Sequence, residues 1–407
     1  MQRTTDPASP YAHARRNTFV LSSMQALGGT NPAIVVAVGG LAGQQLASRP
    51  ELSTLPISLF HLGLALGTIP AAMIMRRLGR RSGYLAGATL GVLGGLVAAL
   101  GIYSDLFAVF CVGTILAGLY ASYVQSYRFA AADSADDKFR PRAISWVMAG
   151  GLVAAVIATQ AVILTRNIGI TAPYAASFLA LAGLSLLAIP LAMMLRIRHT
   201  APVAREQTAG RPMRQIAQSP YFVISVLTGV VSYGLMTLIM TATPLAMHSC
   251  GHSLRDSTLG IQWHILAMYG PSFFTGDLIK RFGKIPVAIV GIVLIGISSG
   301  IALHGITISH FWLALIMLGL GWNLSFISAT AMVTDCYRPE EKNRVQAFND
   351  LLVFGSVAVA SFSSGHLLAA EGWETLNLLV FPLTTAITIA LMWLYVHQRR
   401  QLVQSAG

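Results

Sequence analysis

Apolar runs of about 20 residues, the length of helix that crosses the hydrocarbon core of a bilayer, recur along this chain and set the terms for its fold. Twelve can be read, at 17–42, 52–75, 83–103, 104–127, 143–165, 173–195, 220–245, 257–279, 284–304, 309–333, 345–370 and 374–396. In lipid every backbone polar group must be satisfied internally, so runs of this length can only be helices. Composition agrees: 10% of residues are charged and the mean hydropathy is +0.65, where a soluble domain carries about 25% charge. An all-α polytopic membrane protein is predicted.

The net charge of +12 would suit nucleic acid, but its distribution does not. Of the 27 Lys and Arg residues, 24 fall in the tails and in alternate loops, leaving Arg49, Arg166 and Arg255 for the opposite side. The excess is topological. By the positive-inside rule it places both termini in the cytoplasm, which requires an even number of spans. The first sixteen residues are polar and basic without an apolar core, so no cleavable signal peptide is read. Cys111, Cys250 and Cys336 are too scattered for a disulfide framework.

Two stretches repeat. Ala72 through Arg76-Arg77-Leu-Gly79-Arg80-Arg81 aligns with Gly276-Asp277 through Lys280-Arg281-Phe-Gly283-Lys284 at an offset of 204. Asp133 stands nine before Arg142, and Asp335 nine before Arg344. A duplicated six-helix bundle is the economical reading. It gives a tail at 1–16, an N-terminal bundle at 17–195, a linker at 196–219 with Pro202 and Pro212, a C-terminal bundle at 220–396 and a tail at 397–407. Gly28-Gly29-Thr30-Asn31-Pro32 predicts a bend inside the first span, since Pro removes a backbone donor and Gly loosens the helix.

Candidate chemistry concentrates on the seventh and eighth spans. Met236 and Met240 lie four apart on one helix, and His264 and Met268 four apart on the next. Residues at i and i+4 share a helix face, and thioethers with imidazole are soft ligands suited to Cu(I). On antiparallel neighbours the four fall into two layers, Met240 with His264 about 8–10 Å below the outer end and Met236 with Met268 about 14–16 Å below it. Cys250, His61 and Met247 are accessory candidates, Cys250 and Met247 at the outer mouth. Against this stands ordinary packing: Met fills apolar gaps, and the chain has 15.

Twelve spans in two repeated halves, with a basic Gly-x-x-x-Asp-Arg-x-Gly-Arg-like loop after the second and eighth, resemble the major facilitator superfamily. The resemblance implies gating loops at Arg76, Arg77, Gly79, Asp277, Lys280, Arg281 and Gly283, with Arg76 and Lys280 where the family has an acid. It also implies a pseudo-twofold relation of the halves, with spans 1, 4, 7 and 10 around a central cavity. The Met-x-x-x-Met and His-x-x-x-Met pairs are similar to those of the CcoA-type bacterial copper importers. The implied function is import of copper, as Cu(I), across the bacterial inner membrane by a monomer, to a cytoplasmic acceptor supplying cytochrome oxidase assembly.

The alternative from the same resemblance is the sister branch that carries riboflavin. Tyr120, Tyr123, Gln125, Trp263, Trp322 and Asn323 could stack on and hydrogen-bond a flat heterocycle, or simply pack and anchor the helices. No G-x-x-x-x-G-K-[ST] stretch for a nucleotide and no nucleophile-base-acid set is present. An enzyme is not expected, nor a resident cofactor.

Overall fold

The computed structural model describes residues 13–136, 139–165, 172–197, 210–338 and 340–406. The expected N-terminal tail and most of the expected linker lie outside the described residues. Those described form helices α1 (Ala14–Gly28), α2 (Thr30–Leu46), α3 (Leu55–Leu78), α4 (Arg80–Tyr103), α5 (Phe107–Val124), α6 (Tyr127–Asp133), α7 (Arg140–Thr165) and α8 (Ala175–Met193). The second half follows with α9 (Met213–Ala217), α10 (Pro220–Ser249), α11 (Leu254–Tyr269), α12 (Ser272–Phe282), α13 (Lys284–His304), α14 (Ile308–Thr334), α15 (Lys342–Leu378) and α16 (Val380–Ala406).

Among the described residues, ten stretches are long and apolar enough to cross a membrane. One of them, Arg344–Arg400, has 57 residues, more than twice a bilayer's thickness at about 1.5 Å per residue. It folds into two spans where Gly372 takes φ 81° and ψ 178°. A further span is α11 with α12, each too short alone because the helix breaks at Gly270-Pro271. Twelve spans result. The first is α1 with α2, interrupted at Gly29 within the stretch where the sequence places a bend.

The helices divide into two compact units, Met1–Ser48 with Leu55–Val203, and Arg49–Thr54 with Ala204–Gly407. The loop Arg49–Thr54 therefore departs from the sequence boundary. It joins the second unit because the backbone N–H of Gly365 on α15 donates to Thr54 Oγ1 at 3.1 Å.

In the first unit α4 carries Gly83, Gly87, Gly91 and Gly95, four apart on one face. Small residues in such a row let membrane helices approach closely. A Cβ at Gly87 would meet the Tyr123 ring at 2.7 Å, and one at Gly95 the Ala182 backbone nitrogen at 2.7 Å. Tyr120, Tyr84 and Tyr127 are fully buried in the same core, the last two edge to face at 4.8 Å. In the second unit α13 and α14 make the corresponding close pair, where a Cβ at Gly321 would meet the Gly291 carbonyl oxygen at 2.7 Å.

Both units turn and pin their second and third spans alike. Gly79 (φ 85°, ψ 158°) and Gly283 (φ 91°, ψ 159°) each cap the following helix in a conformation that favours glycine. One residue later Arg80 pairs with Asp133 at the end of α6, and Lys284 pairs with Asp335, 2.5 Å away, at the end of α14. The repeat seen in sequence is thus physical, although Asp133 and Asp335 pair with these cations rather than with the arginines nine residues on.

Within the second unit α10 is enclosed all round from Leu235 to Met247. Ser232 and Ser325 share a hydrogen bond of 2.5 Å between α10 and α14, and Ser364 on α15 donates to the Leu238 carbonyl at 2.8 Å. Ahead of α10, Arg211 donates to the buried Glu341 carboxylate from its backbone N–H, Nε and Nη2. The Arg338 N–H adds a fourth bond at 3.0 Å. These donors hold the Glu341 carboxyl well below its usual range, the Arg211 side chain contributing most.

Candidate functional site

The feature of the second unit with binding chemistry is a cluster of rings around Trp322. Trp322 and Phe326 are one turn apart on α14 and stack at 5.1 Å with an interplanar angle of 15°. Tyr233 of α10 meets both edge-on, at 5.2 Å and 5.1 Å. Phe354 of α15 lies 6.1 Å from Tyr233, and Tyr269, at the end of α11, lies 6.4 Å from Trp322. Offset and edge-to-face arrangements over these distances are favourable aromatic pairs. Trp322 is buried at the centre while Tyr233, Tyr269, Phe326 and Phe354 remain half-buried. Four helices thus build an aromatic floor.

The floor is held where the α11–α12 span breaks. Pro271 has no N–H to donate, and the break leaves carbonyls of the last turn of α11 without helical partners. Asn323, next to Trp322 and fully buried, donates from Nδ2 to the Met268 carbonyl at 2.6 Å and to Ser272 Oγ at 2.7 Å. Its Oδ1 accepts from Thr275 Oγ1 at 2.6 Å. Asn323 therefore ties both sides of the break to α14, which fixes the turn beside Trp322.

The soft side chains take definite places. Met236 and Met240 are buried on α10, and His264 and Met268 on α11, so one unit holds all four. His264 Nδ1 stands 2.8 Å from the Leu315 carbonyl oxygen. Met247 is helical rather than in the outer loop, because α10 runs to Ser249, and it packs with Ala246 and Phe311. Cys250 is exposed at the C-cap of α10. His61 belongs to the first unit, on α3, edge-on to Phe60 at 5.4 Å. Among the described residues no group of three or more His, Cys, Asp or Glu gathers as a metal site.

Of the residues expected to line an organic-solute site, Trp322 is the centre of the floor and Asn323 its brace. Trp263 is 42% exposed on α11. Tyr120 and Tyr123 lie in the first unit, their rings against the glycine row of α4, and Gln125 caps α5. In the loops expected to gate, Arg76, Arg77, Lys280 and Arg281 are exposed at the ends of α3 and α12, and Asp277 reaches Lys280 at 3.5 Å. Tyr233, Tyr269, Phe326 and Phe354 complete the cluster beyond the residues the sequence points to. The legible signal was the i, i+4 spacing of Trp322 and Phe326; the other three join only through tertiary packing.

Known proteins supply a check. The chain matches the Major Facilitator Superfamily over residues 18–272 and 259–407. It is 54% identical over 384 residues, 93% of this chain and 96% of the relative, to a Brucella anthropi protein named Riboflavin transporter RfnT. It is 30% identical to the Uncharacterized MFS-type transporter YdeG of Bacillus subtilis, over 93% of this chain and 92% of that one. Two solved structures share the fold at low identity. The nucleoside transporter NupG has TM-score 0.71 and 12% identity over 92% of this chain and 99% of its own. The xylose transporter XylE from E. coli, partially occluded and inward open, has TM-score 0.72 and 13% identity over 95% and 98%.

The first of these relatives overturns the expectation of copper import, and with it metal binding and supply of cytochrome oxidase assembly. A protein that shares more than half of this sequence along nearly its whole length is named for an organic solute. Met236, Met240 and Met268 have an ordinary physical use in its place, as buried groups in an apolar interior where Met fills irregular gaps. The matches run through both halves of the chain, and it belongs to the Major Facilitator Superfamily, as a multi-pass membrane transporter.

Proposed function

We propose that this protein carries riboflavin, or a closely related flat heterocycle, across the bacterial inner membrane. The observation that carries the reading is the 54% identity to a riboflavin transporter over 93% of the chain. The aromatic floor supports it chemically. An isoalloxazine is a flat, electron-poor tricycle, and stacking on aromatic side chains is the recognition mode that suits such a ring. Trp322, with Tyr233 and Phe326 beside it, is assigned as the platform. Tyr120 and Tyr123 are assigned to packing, because their rings lie on the close approach of α4 to α5.

The orientation is proposed from charge. The even span count puts both ends of the chain on one side, and the 24 basic residues of the tails and alternate loops make that side cytoplasmic. The chain is proposed to act as a monomer, since each unit closes its own core. Uptake of radiolabelled riboflavin by a riboflavin-auxotrophic bacterium, with and without the gene, tests the reading. Expression is expected to raise uptake and to restore growth at limiting riboflavin, with copper accumulation unchanged. Equal riboflavin uptake in the two strains would overturn it.

A further inference from the structure

Near the aromatic floor the second unit holds polar atoms that the fold leaves unmet. His264 is fully buried on α11, and its Nδ1 lies 2.8 Å from the Leu315 carbonyl oxygen. A carbonyl oxygen can only accept, so Nδ1 carries the proton and the neutral ring keeps a lone pair on Nε2. That Nε2 is buried with no hydrogen-bond partner among the described residues. The hydroxyls of Thr237 and Thr241, one turn apart on α10, and the indole Nε1 of Trp322 are buried and unpartnered in the same way. Buried polar groups are normally paired, and each exception calls for an explanation.

These atoms are anchored to the platform helix. The Leu315 carbonyl holds the imidazole two turns before Trp322 on α14, about 10 Å along the axis. Gly319 lies between, and a Cβ there would meet the His264 carbonyl oxygen at 2.6 Å, so α11 rides directly on α14. One turn further, Met268 is tied to Asn323 beside Trp322. Thr237 follows Tyr233 by one helical turn and Thr241 follows it by two, which keeps them near the ring's side of α10. The unmet set is one fixed acceptor, two hydroxyls free to donate and one indole donor, all on the helices that carry the aromatic floor.

We propose that His264 Nε2 accepts a hydrogen bond from the ring N–H of the transported solute, with Thr237 and Thr241 donating to the carbonyls that flank it. The proposal deepens the flavin reading and rests on it. The pyrimidine edge of an isoalloxazine presents an imide N–H between two carbonyls, the complement of this set. Carriers open and close around their sites, so a group sealed in one state meets solute in another. A site built to hydrogen-bond a solute N–H rejects an analogue lacking it far better than an apolar pocket rejects a size change.

The test measures riboflavin uptake by cells expressing the full chain, in competition with N3-methylriboflavin, which lacks the imide N–H. In the wild type the methylated analogue is expected to compete about ten-fold or more less well than unlabelled riboflavin, the worth of one ordinary hydrogen bond. His264→Leu, at equal membrane abundance, is expected to lower riboflavin uptake about ten-fold and to abolish the discrimination. His264→Gln, whose amide oxygen still accepts, should recover part of both. Equal competition by the two flavins in the wild type overturns the assignment even if His264→Leu fails to reach the membrane. Full discrimination in a well-expressed His264→Leu also overturns it. Neither result touches the flavin reading, which falls, taking this assignment with it, only if the wild type takes up no riboflavin.

Discussion

The two units use the same frame for different ends. Each begins its third span from a glycine with positive φ and pins it with a cation–carboxylate pair, Arg80–Asp133 in one and Lys284–Asp335 in the other. Each also has a broken span held by a buried asparagine. Asn31 donates to the Ala117 carbonyl at 2.7 Å beside the break between α1 and α2, and Asn323 braces the break between α11 and α12. They diverge in their aromatics. In the first unit Tyr84, Tyr120 and Tyr127 are sealed into the core, whereas in the second the half-buried rings of Tyr233, Tyr269 and Phe326 surround Trp322. A duplicated scaffold has kept its joints and changed what its interior presents.

The largest expected effect is therefore one-sided. Trp322→Ala removes the platform, and stacking on an aromatic side chain is worth about 1–3 kcal/mol per ring, so uptake at limiting riboflavin should fall about ten-fold or more. Tyr120→Phe in the other unit keeps the buried ring and removes only a hydroxyl, so uptake should stay near wild type. Initial uptake rates normalised to membrane abundance make the measurement. A strong loss in Tyr120→Phe with little in Trp322→Ala would reverse the assignment of roles.

The two asparagines give the next contrast. Asn323 makes three side-chain hydrogen bonds across its break, and Asn31 makes one, its Oδ1 being unpartnered among the described residues. Leaving a buried carbonyl unmet costs about 1–3 kcal/mol, so Asn323→Ala should lower the melting temperature of the purified protein clearly, and more than Asn31→Ala. Equal shifts would mean that the breaks are braced by packing rather than by these amides.

Much of this frame is visible in the sequence. Apolar run length gives the spans because a bilayer fixes how long a helix must be, and the Gly79 and Gly283 loops reveal the repeat because a tight turn tolerates few residues. The site is less legible. Met236-x-x-x-Met240 and His264-x-x-x-Met268 are a real pattern on helix faces, but spacing cannot distinguish ligands from packing. Nor does it show that the imidazole of His264 already spends one nitrogen on Leu315. Trp322 was accessible as a lone aromatic, while Tyr233, Tyr269 and Phe354 come from three other helices. Their convergence depends on packing that no periodicity encodes.

The second unit also carries a clamp at its end, Arg211 on Glu341. Because these hydrogen bonds depress the carboxyl's folded pKa, their contribution is fully present above the unfolded value of about 4.5 and is lost as pH falls below it. Wild-type melting temperature should drop between about pH 5 and pH 3 by more than that of Glu341→Gln. The variant should melt lower at pH 7, where the charged partner counts most. Parallel pH profiles would show that the clamp adds nothing to stability in that range.

The smallest expected effect tests the likeness rather than the difference. Gly283 has φ 91° and ψ 159°, and a Cβ there would meet only Pro286 Cδ, at an ordinary 3.6 Å. The cost of Gly283→Ala is therefore conformational, with no steric part, and falls near the low end of the range for strained backbone, about 1 kcal/mol. Gly79 has nearly the same angles, φ 85° and ψ 158°, so Gly79→Ala should carry the same conformational cost. If the two turns are equivalent and independent joints, each alanine shifts the melting temperature by a similar small amount, and the double variant by their sum. A shift in one variant several times that in the other would show that the matching backbone angles bear different loads, and the duplication would then be one of form alone.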